Sequence, residues 1–427
     1  MDVRTDILIV GAGGGGAILG LALSTLGIKT IVLEQAEGPP QGLRGEILQP
    51  NGQQILADMG LLEDLPQEAI RPVRYFHFRQ VGGERLCTID YDMLPSPFNR
   101  ALVTLPNTVH HTVLQKLESQ NPDGLWYNTH FTQLLYEQGK VVGVEACRAE
   151  KVLRIGAKLV VGADGPFSKV REALHIPTQL HRYAESYLIS ILDCPEKLSE
   201  SQYFVGKNEI LGIFPAARDQ VYVFSMIPSG AMTAIKEAGI QALRNQWIKM
   251  YPELGQTFGH LIDWKQIAYM GTGRARAKTW VADGAVLLGD AAHGMNPHAS
   301  QGRMQAMVDA VTLAKMLPSC LENNDFSSAS LKRFENQRRP QVEMLQQLAD
   351  EEVFFWNTGN PILTFLRNRV FSTLDRNRRL QYQVLTATAG FRQTPPFGWL
   401  DRFQAAGILP DHRANQLPQH MSSGMSS

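Results

Sequence analysis

Cysteine is scarce in this 427-residue chain and scattered where it occurs, at Cys87, Cys147, Cys194 and Cys320. No two of these, and no cysteine–histidine set, stand at metal-ligand spacing, so no metal site and no disulfide framework is expected. Charge of one sign is missing too. Lys and Arg number 41 and Asp and Glu 41, so nothing in the charge balance argues for nucleic acid or an acidic surface as partner. Asp2 and Asp6 precede the first apolar run, so a positively charged signal peptide is not expected there. The expectation is a cytoplasmic protein with reduced thiols. Internal repeats are absent, as are Ser-His-Asp and paired-carboxylate motifs. One long uncharged run does occur, Ile7 to Ile28, but seven glycines lie in it. Each costs a helix about 1 kcal/mol relative to alanine, which argues against a membrane span.

The same run has another reading. An apolar strand, Thr5 to Val10, enters the turn Gly11-Ala12-Gly13-Gly14-Gly15-Gly16. A small-residue helix follows to Gly27, and a second apolar strand, Thr30 to Leu33, ends at Glu34. This is the pattern of a dinucleotide-binding βαβ unit. Gly11 permits the tight turn, Gly13 lets backbone approach a pyrophosphate, and Gly16 lets helix and strand pack closely. Glu34 is placed to accept hydrogen bonds from ribose hydroxyls.

Further along, residues 72–104 alternate apolar and polar groups in the manner of antiparallel sheet. A helix is predicted over Asn107 to Ser119, then strands Leu134–Gln138 and Val141–Arg148 around a turn at Gly139-Lys140. From 182 to 272 short strands dominate. Parallel, buried texture resumes at Gly284 and gives way to helix. The predicted fold is α/β, a Rossmann-like dinucleotide-binding domain interleaved with a sheet-rich α+β substrate domain, with a helical C-terminal region. The dinucleotide-binding domain takes residues 1–71, 105–181 and 273–340, and the substrate domain 72–104 and 182–272. C-terminal helices follow over 341–414, and a disordered tail over 415–427.

Two more strand-to-turn junctions repeat the logic of the first. Val160 and Val161 run into Gly162-Ala163-Asp164-Gly165, with Ser168 as a helix cap. Val286 to Leu288 run into Gly289-Asp290-Ala291-Ala292-His293, continuing through Pro297 to Gln301-Gly302. In order, GxGxxG…E, GADGxxSxVR and GDAAHxxxP resemble the fingerprint of the single-component, class A, FAD-dependent aromatic hydroxylases, the family of p-hydroxybenzoate hydroxylase. The late segment Pro396-Phe397-Gly398-Trp399 is similar to the end of ubiquinone- and quinolone-type members.

The resemblance implies a function and a site. NADPH or NADH reduces FAD, O2 adds at flavin C4a, and the resulting hydroperoxide transfers one oxygen atom to an electron-rich aromatic or quinone-like molecule. Residues 11–16 hold the adenosine and pyrophosphate with Glu34 on the ribose. Arg44 approaches the pyrophosphate or the flavin edge, and Asn107 makes a polar contact to FAD. Asp164 and Gly165 belong to a segment associated with FAD and nicotinamide, and Gly289-Asp290 takes the ribityl or pyrophosphate region. Pro297, Gln301 and Gly302 lie beside the isoalloxazine. The substrate is expected between the Pro297 loop and the second domain, with Phe214, Pro215, Tyr222 and Phe224 as candidate lining; each also reads as plain sheet core.

The chain departs from the family pattern at Ser300, a glycine elsewhere, and at Met304, an asparagine elsewhere. Arg303 puts a cation in the first turn of a helix, where the dipole disfavours it. Two readings stay open for it: contact with solvent or Asp309, or a flavin-proximal role facing the pyrimidine. The segment Gly271 to Arg276 lacks the third glycine of a second fingerprint. Halogenase and Baeyer–Villiger signatures are absent, and so is a redox CxxxxC pair. The alternatives are epoxidation or lipid or quinone hydroxylation by the same fold, and an FAD-dependent dehydrogenase or reductase that does not activate O2. A non-catalytic FAD-binding protein also stays open. The aromatic segments Phe354-Phe355-Trp356 and Phe365 to Phe371 suit an apolar substrate, a membrane-surface contact or helix packing.

Overall fold

The computed structural model describes residues 3–43 and 46–417. Arg44 and the tail from position 418 lie outside the described residues. Two large sheets draw their strands alternately from along the chain. In the first, β1 (Val3–Val10) pairs in parallel with β2 (Thr30–Leu33) on one side and with the strand Lys151–Gly162 on the other. Lys151–Gly162 pairs in parallel with Ala285–Leu287. The register aligns the strand ends: Val10 lies opposite Gly162, and Gly162 opposite Leu287. Three turns far apart in sequence therefore leave one sheet edge side by side. That edge is the carboxyl end of the parallel strands, where open α/β sheets bind ligands. Strands of this inner sheet are apolar on both faces because helices cover both. They include α1 (Gly14–Thr25) and the helix Gly302–Glu322.

The second sheet has seven strands. It is antiparallel except where Tyr75–Gln80 meets Ser201–Val205. Its strands Thr178–Asp193 and Ile267–Ala277 begin and end a few residues outside the 182–272 stretch. The helix Ser328–Trp356 runs unbroken through position 340, so the C-terminal helices continue directly from the first unit. Pro361–Arg376, Arg378–Thr388 and Trp399–Ala405 follow. Phe78 of the second sheet stacks between Tyr203 and Phe371, with Trp356 edge-on, and this fixes those helices over the sheet.

The hairpin reading needs a one-residue correction. The turn between Thr129–Glu137 and Lys140–Arg148 is Gln138-Gly139, both at positive φ (50° and 80°). That geometry matches the right-handed twist of the flanking strands. No helix among the described residues is long and apolar enough to cross a membrane.

Candidate functional site

The first turn is built for a ligand rather than for packing alone. A Cβ on Gly16 would lie 1.9 Å from the Gly11 carbonyl oxygen, and one on Gly11 would lie 2.5 Å from that of Ala163. Gly11 also sits at φ +101°. A Cβ on Gly15 would strike Leu288. These glycines let α1 sit against the strand ends. Gly13 differs, because a Cβ there would meet nothing within 4 Å. It faces open space at the start of α1, whose first N–H groups have no side-chain cap and no partner within the helix. A pyrophosphate fits that space and those donors. Glu34 closes the cradle, with Oε2 accepting from Ala12 N and Oε1 from Ala36 N, each at 2.9 Å. So pinned, its carboxylate keeps lone pairs for ribose hydroxyls.

The second motif supports the first. The Asp164 carboxylate accepts from Ser168 Oγ (2.5 Å) and Val170 N (3.1 Å), capping the short helix Lys169–Ala173. Ala163 and Asp164 press on Gly11, and Gly165 takes φ +81°. Buried Arg171 donates to the Ala291 and Pro166 carbonyls, which ties the second motif to the third. Asn107 Nδ2 donates to the Gly42 carbonyl (2.8 Å), and the His111 ring hydrogen-bonds the Pro40 carbonyl. Both hold the loop after β2 in place.

The third motif is fixed by a network that the sequence did not announce. Asp309 is fully buried; it accepts from Gly289 N (2.9 Å) and Arg338 Nε (2.8 Å) and bonds His293 Nε2 (2.5 Å). Burial alone would raise its carboxyl, yet His293 and Arg338 hold it below the usual carboxylate range. Arg338 continues to Gln305, Gln305 to Gln301, and Gln301 to Asn51 and the Thr388 carbonyl. The Gln301 side chain is thus consumed inside the protein, and only its backbone is available to a cofactor. Gly289 (φ +58°) presents exposed Asp290 at the sheet edge.

The three departures now have places. Ser300 adopts φ +51°, the left-handed region, which explains why glycine is usual there; a non-glycine residue pays about 1–2 kcal/mol for it. Met304 is buried against Gly52 and occupies space between two helices. Asp309 is engaged by Gly289, His293 and Arg338. The Arg303 stem packs over Gly14, close enough that a Cβ on Gly14 would come within 2.9 Å of Cγ. That brings the stem to the start of α1, beside the glycine cradle. His110, beside the Ala12 backbone, is pushed down to about 4, by burial first and by Arg303 second, so the ring stays neutral near pH 7. Arg303→Ala is expected to raise the dissociation constant for FAD roughly tenfold, the worth of one charge-assisted contact. Titration of apoprotein with FAD, followed by flavin fluorescence, measures it; unchanged binding would remove Arg303 from the pyrophosphate end.

Beside the Pro297–Ser300 loop lies a cavity of about 320 Å3. His298 and Ser300 line it from the loop, Phe76 and Tyr203 from the second sheet, and Trp356 and Phe371 from the C-terminal helices. Phe214, Pro215, Tyr222 and Phe224 are not in its wall. Phe214 packs against Tyr203 and Tyr222, and Phe224 stacks on Tyr187, so these residues form the sheet core one layer behind. The helical wall is legible in the sequence only as one of several readings: Trp356 and Phe371 lie in the aromatic segments that suit an apolar substrate, but an apolar helix face packs against a neighbour or a cavity with the same periodicity.

Comparison with known proteins fits this geometry. The sequence model of a family described as FAD binding domain matches residues 4–349. The chain is 29% identical over 343 residues to 6-methylpretetramide 4-monooxygenase of Streptomyces rimosus, covering 80% of this chain and 81% of that one. It is 26% identical over 411 residues to 3-demethoxyubiquinol 3-hydroxylase of Escherichia coli, covering 90% and 98%. Among solved structures, p-nitrophenol 4-monooxygenase of Pseudomonas putida shares the fold with a TM-score of 0.77 at 18% identity, over 92% of this chain and 100% of that one. The chain thus belongs to the family described as FAD binding domain, as an FAD-dependent monooxygenase.

Proposed function

We propose that the protein uses NADH or NADPH, with FAD as its bound cofactor, to insert one oxygen atom of O2 into a small electron-rich aromatic or quinone-like molecule. The observation that carries this reading is the aromatic cavity opening beside the Pro297–Ser300 loop. Bound FAD supplies the redox chemistry and the activation of O2, while the protein supplies orientation, electrostatics and exclusion of water. Gly13 and the start of α1 hold the pyrophosphate, Glu34 the ribose, and Asp290 the ribityl region. The N–H groups that open the Gly302–Glu322 helix lack a side-chain cap. With the helix dipole they favour negative charge at the flavin pyrimidine. Pro297 and Gly302 would border the ring, the first sheet serving the cofactor and the second the substrate. Phe76, Tyr203, Trp356 and Phe371 keep water from the reacting centre. Relatives named for a demethoxyubiquinol and for p-nitrophenol support a quinol or phenol substrate.

The test is a screen of phenols, quinolones and quinones for stimulated NAD(P)H oxidation with oxygen uptake. Stimulated oxidation without oxygen uptake would favour a dehydrogenase or reductase instead. A second reading, hydroxylation of a lipid or quinone reached from a membrane surface, is favoured by exposed Ile362, Phe365, Trp399 and Phe403. These lie on helices that also line the cavity. Failure to co-sediment with phosphatidylglycerol-containing liposomes would count against it.

A further inference from the structure

The aromatic cavity contains a charged-type side chain that nothing so far has used. Glu352, on the helix Ser328–Trp356, lines the cavity and is partly buried. Its Oε2 is buried without a hydrogen-bond partner, and it forms no ion pair with any described residue. Its sequence neighbour Glu351 behaves differently, pairing with Arg402 at 2.8 Å. Arg367, the other arginine of the wall, donates to the Gly206 and Trp356 carbonyls. An unpaired carboxyl in an apolar enclosure costs stability, so its retention calls for a partner that the folded chain does not itself contain.

We propose that Glu352 is the polar anchor of this cavity, hydrogen-bonding the hydroxyl or carbonyl of an uncharged aromatic substrate and so fixing its orientation. The inference rests on the reading of the cavity as the substrate site. Burial, with a smaller push from Glu351, raises the Glu352 carboxyl to about 8. Near pH 7 it is mainly the neutral acid, able both to donate and to accept. The groups facing it are neutral as well. Burial pushes the His298 ring down to about 3, and it pushes the Tyr91, Tyr187 and Tyr203 phenols up. His298 Nε2 is bonded to the Tyr187 hydroxyl while its Nδ1 is buried without a partner. Both wall arginines are already engaged, so an anionic substrate would meet no free cation opposite Glu352 among the described residues. A neutral hydroxyarene finds an apolar slot with a donor and acceptor at one place. Recognition of this kind discriminates strongly, because a ligand lacking the polar group leaves buried protein groups unpaired.

The test compares 2-naphthol with naphthalene as ligands of the FAD-loaded protein at pH 7, by equilibrium dialysis, in wild type, Glu352→Gln and Glu352→Leu. The preference for 2-naphthol is expected to fall roughly tenfold in Glu352→Leu, the effect of leaving a hydroxyl unpaired, and to survive in Glu352→Gln. Glu352→Leu should also raise the melting temperature. The gap over wild type should widen from pH 5 to pH 8. There the unfolded chain has released the proton while the folded one retains it, so wild-type stability falls as pH rises. If both probes bind and the preference is the same in all three proteins, the anchor is overturned while the substrate cavity stands. If neither probe binds wild type, the cavity reading falls and the anchor with it.

Discussion

Replacing Arg338 with methionine is expected to cost the fold about 3–5 kcal/mol, the penalty for stranding one member of a buried ion pair. Arg338 is 3% exposed and Asp309 fully buried. The guanidinium serves Asp309, Gln305 and Gln341 at 2.6–2.8 Å. Without it, Asp309 keeps only His293 and the Gly289 N–H, and Gln305 loses a partner in the chain that fixes Gln301. Damage should therefore spread from the network to the Gly289-Asp290 turn, and FAD retention should fall along with the urea midpoint. Removing both charges, as Arg338→Met with Asp309→Asn, should cost less than Arg338→Met alone, since no charge is left unpaired. A cost below about 1 kcal/mol for the single change would show that the pair does not organise the third motif.

Gly16→Ala is expected to be comparably severe, and for a steric reason. Its Cβ would fall 1.9 Å from the Gly11 carbonyl oxygen, a backbone atom that cannot swing aside. Relief requires moving α1 away from β1. Overpacking of this kind costs about 1–3 kcal/mol or more, or roughly 5- to 150-fold in an equilibrium constant, and both melting temperature and FAD affinity should drop. Gly13→Ala separates the two effects. Its Cβ meets no protein atom, so the apoprotein should melt near the wild-type temperature while FAD binding is lost to the methyl in the pyrophosphate space. If Gly13→Ala bound FAD normally, that space would not hold the pyrophosphate.

What could be read from the sequence was what local chemistry dictates. A turn that must bring helix and strand together needs glycines, and a ribose needs an acid at the end of β2, so Gly11, Gly13, Gly16 and Glu34 stand out without any tertiary knowledge. The convergence of the three turns came from parallel pairing of Val10, Gly162 and Leu287, which the apolar texture of those strands foretold. Ser300 was legible as a departure from a family pattern, but its cost became visible only with φ +51°. Arg303 could not be placed because the position of a long side chain depends on the partner helix, here α1 at Gly14. The Asp309 network joins residues 16 and 29 positions apart with no periodic signal. Phe214 and Phe224 read as cavity lining or sheet core alike, and Trp356 and Phe371 as apolar-substrate contact, membrane contact or helix packing alike, whereas nothing in the sequence marked Glu352.

The central claim is that this chain places one atom of O2 into an aromatic or quinone-like molecule bound in the cavity beside Pro297. It is tested most directly by mass spectrometry of products formed under 18O2 with FAD-loaded protein, NAD(P)H and a panel of phenols, quinolones and quinones. The account predicts, for at least one compound that stimulates NAD(P)H oxidation, a product carrying one 18O atom. Stimulated oxidation that leaves every compound free of 18O would contradict it.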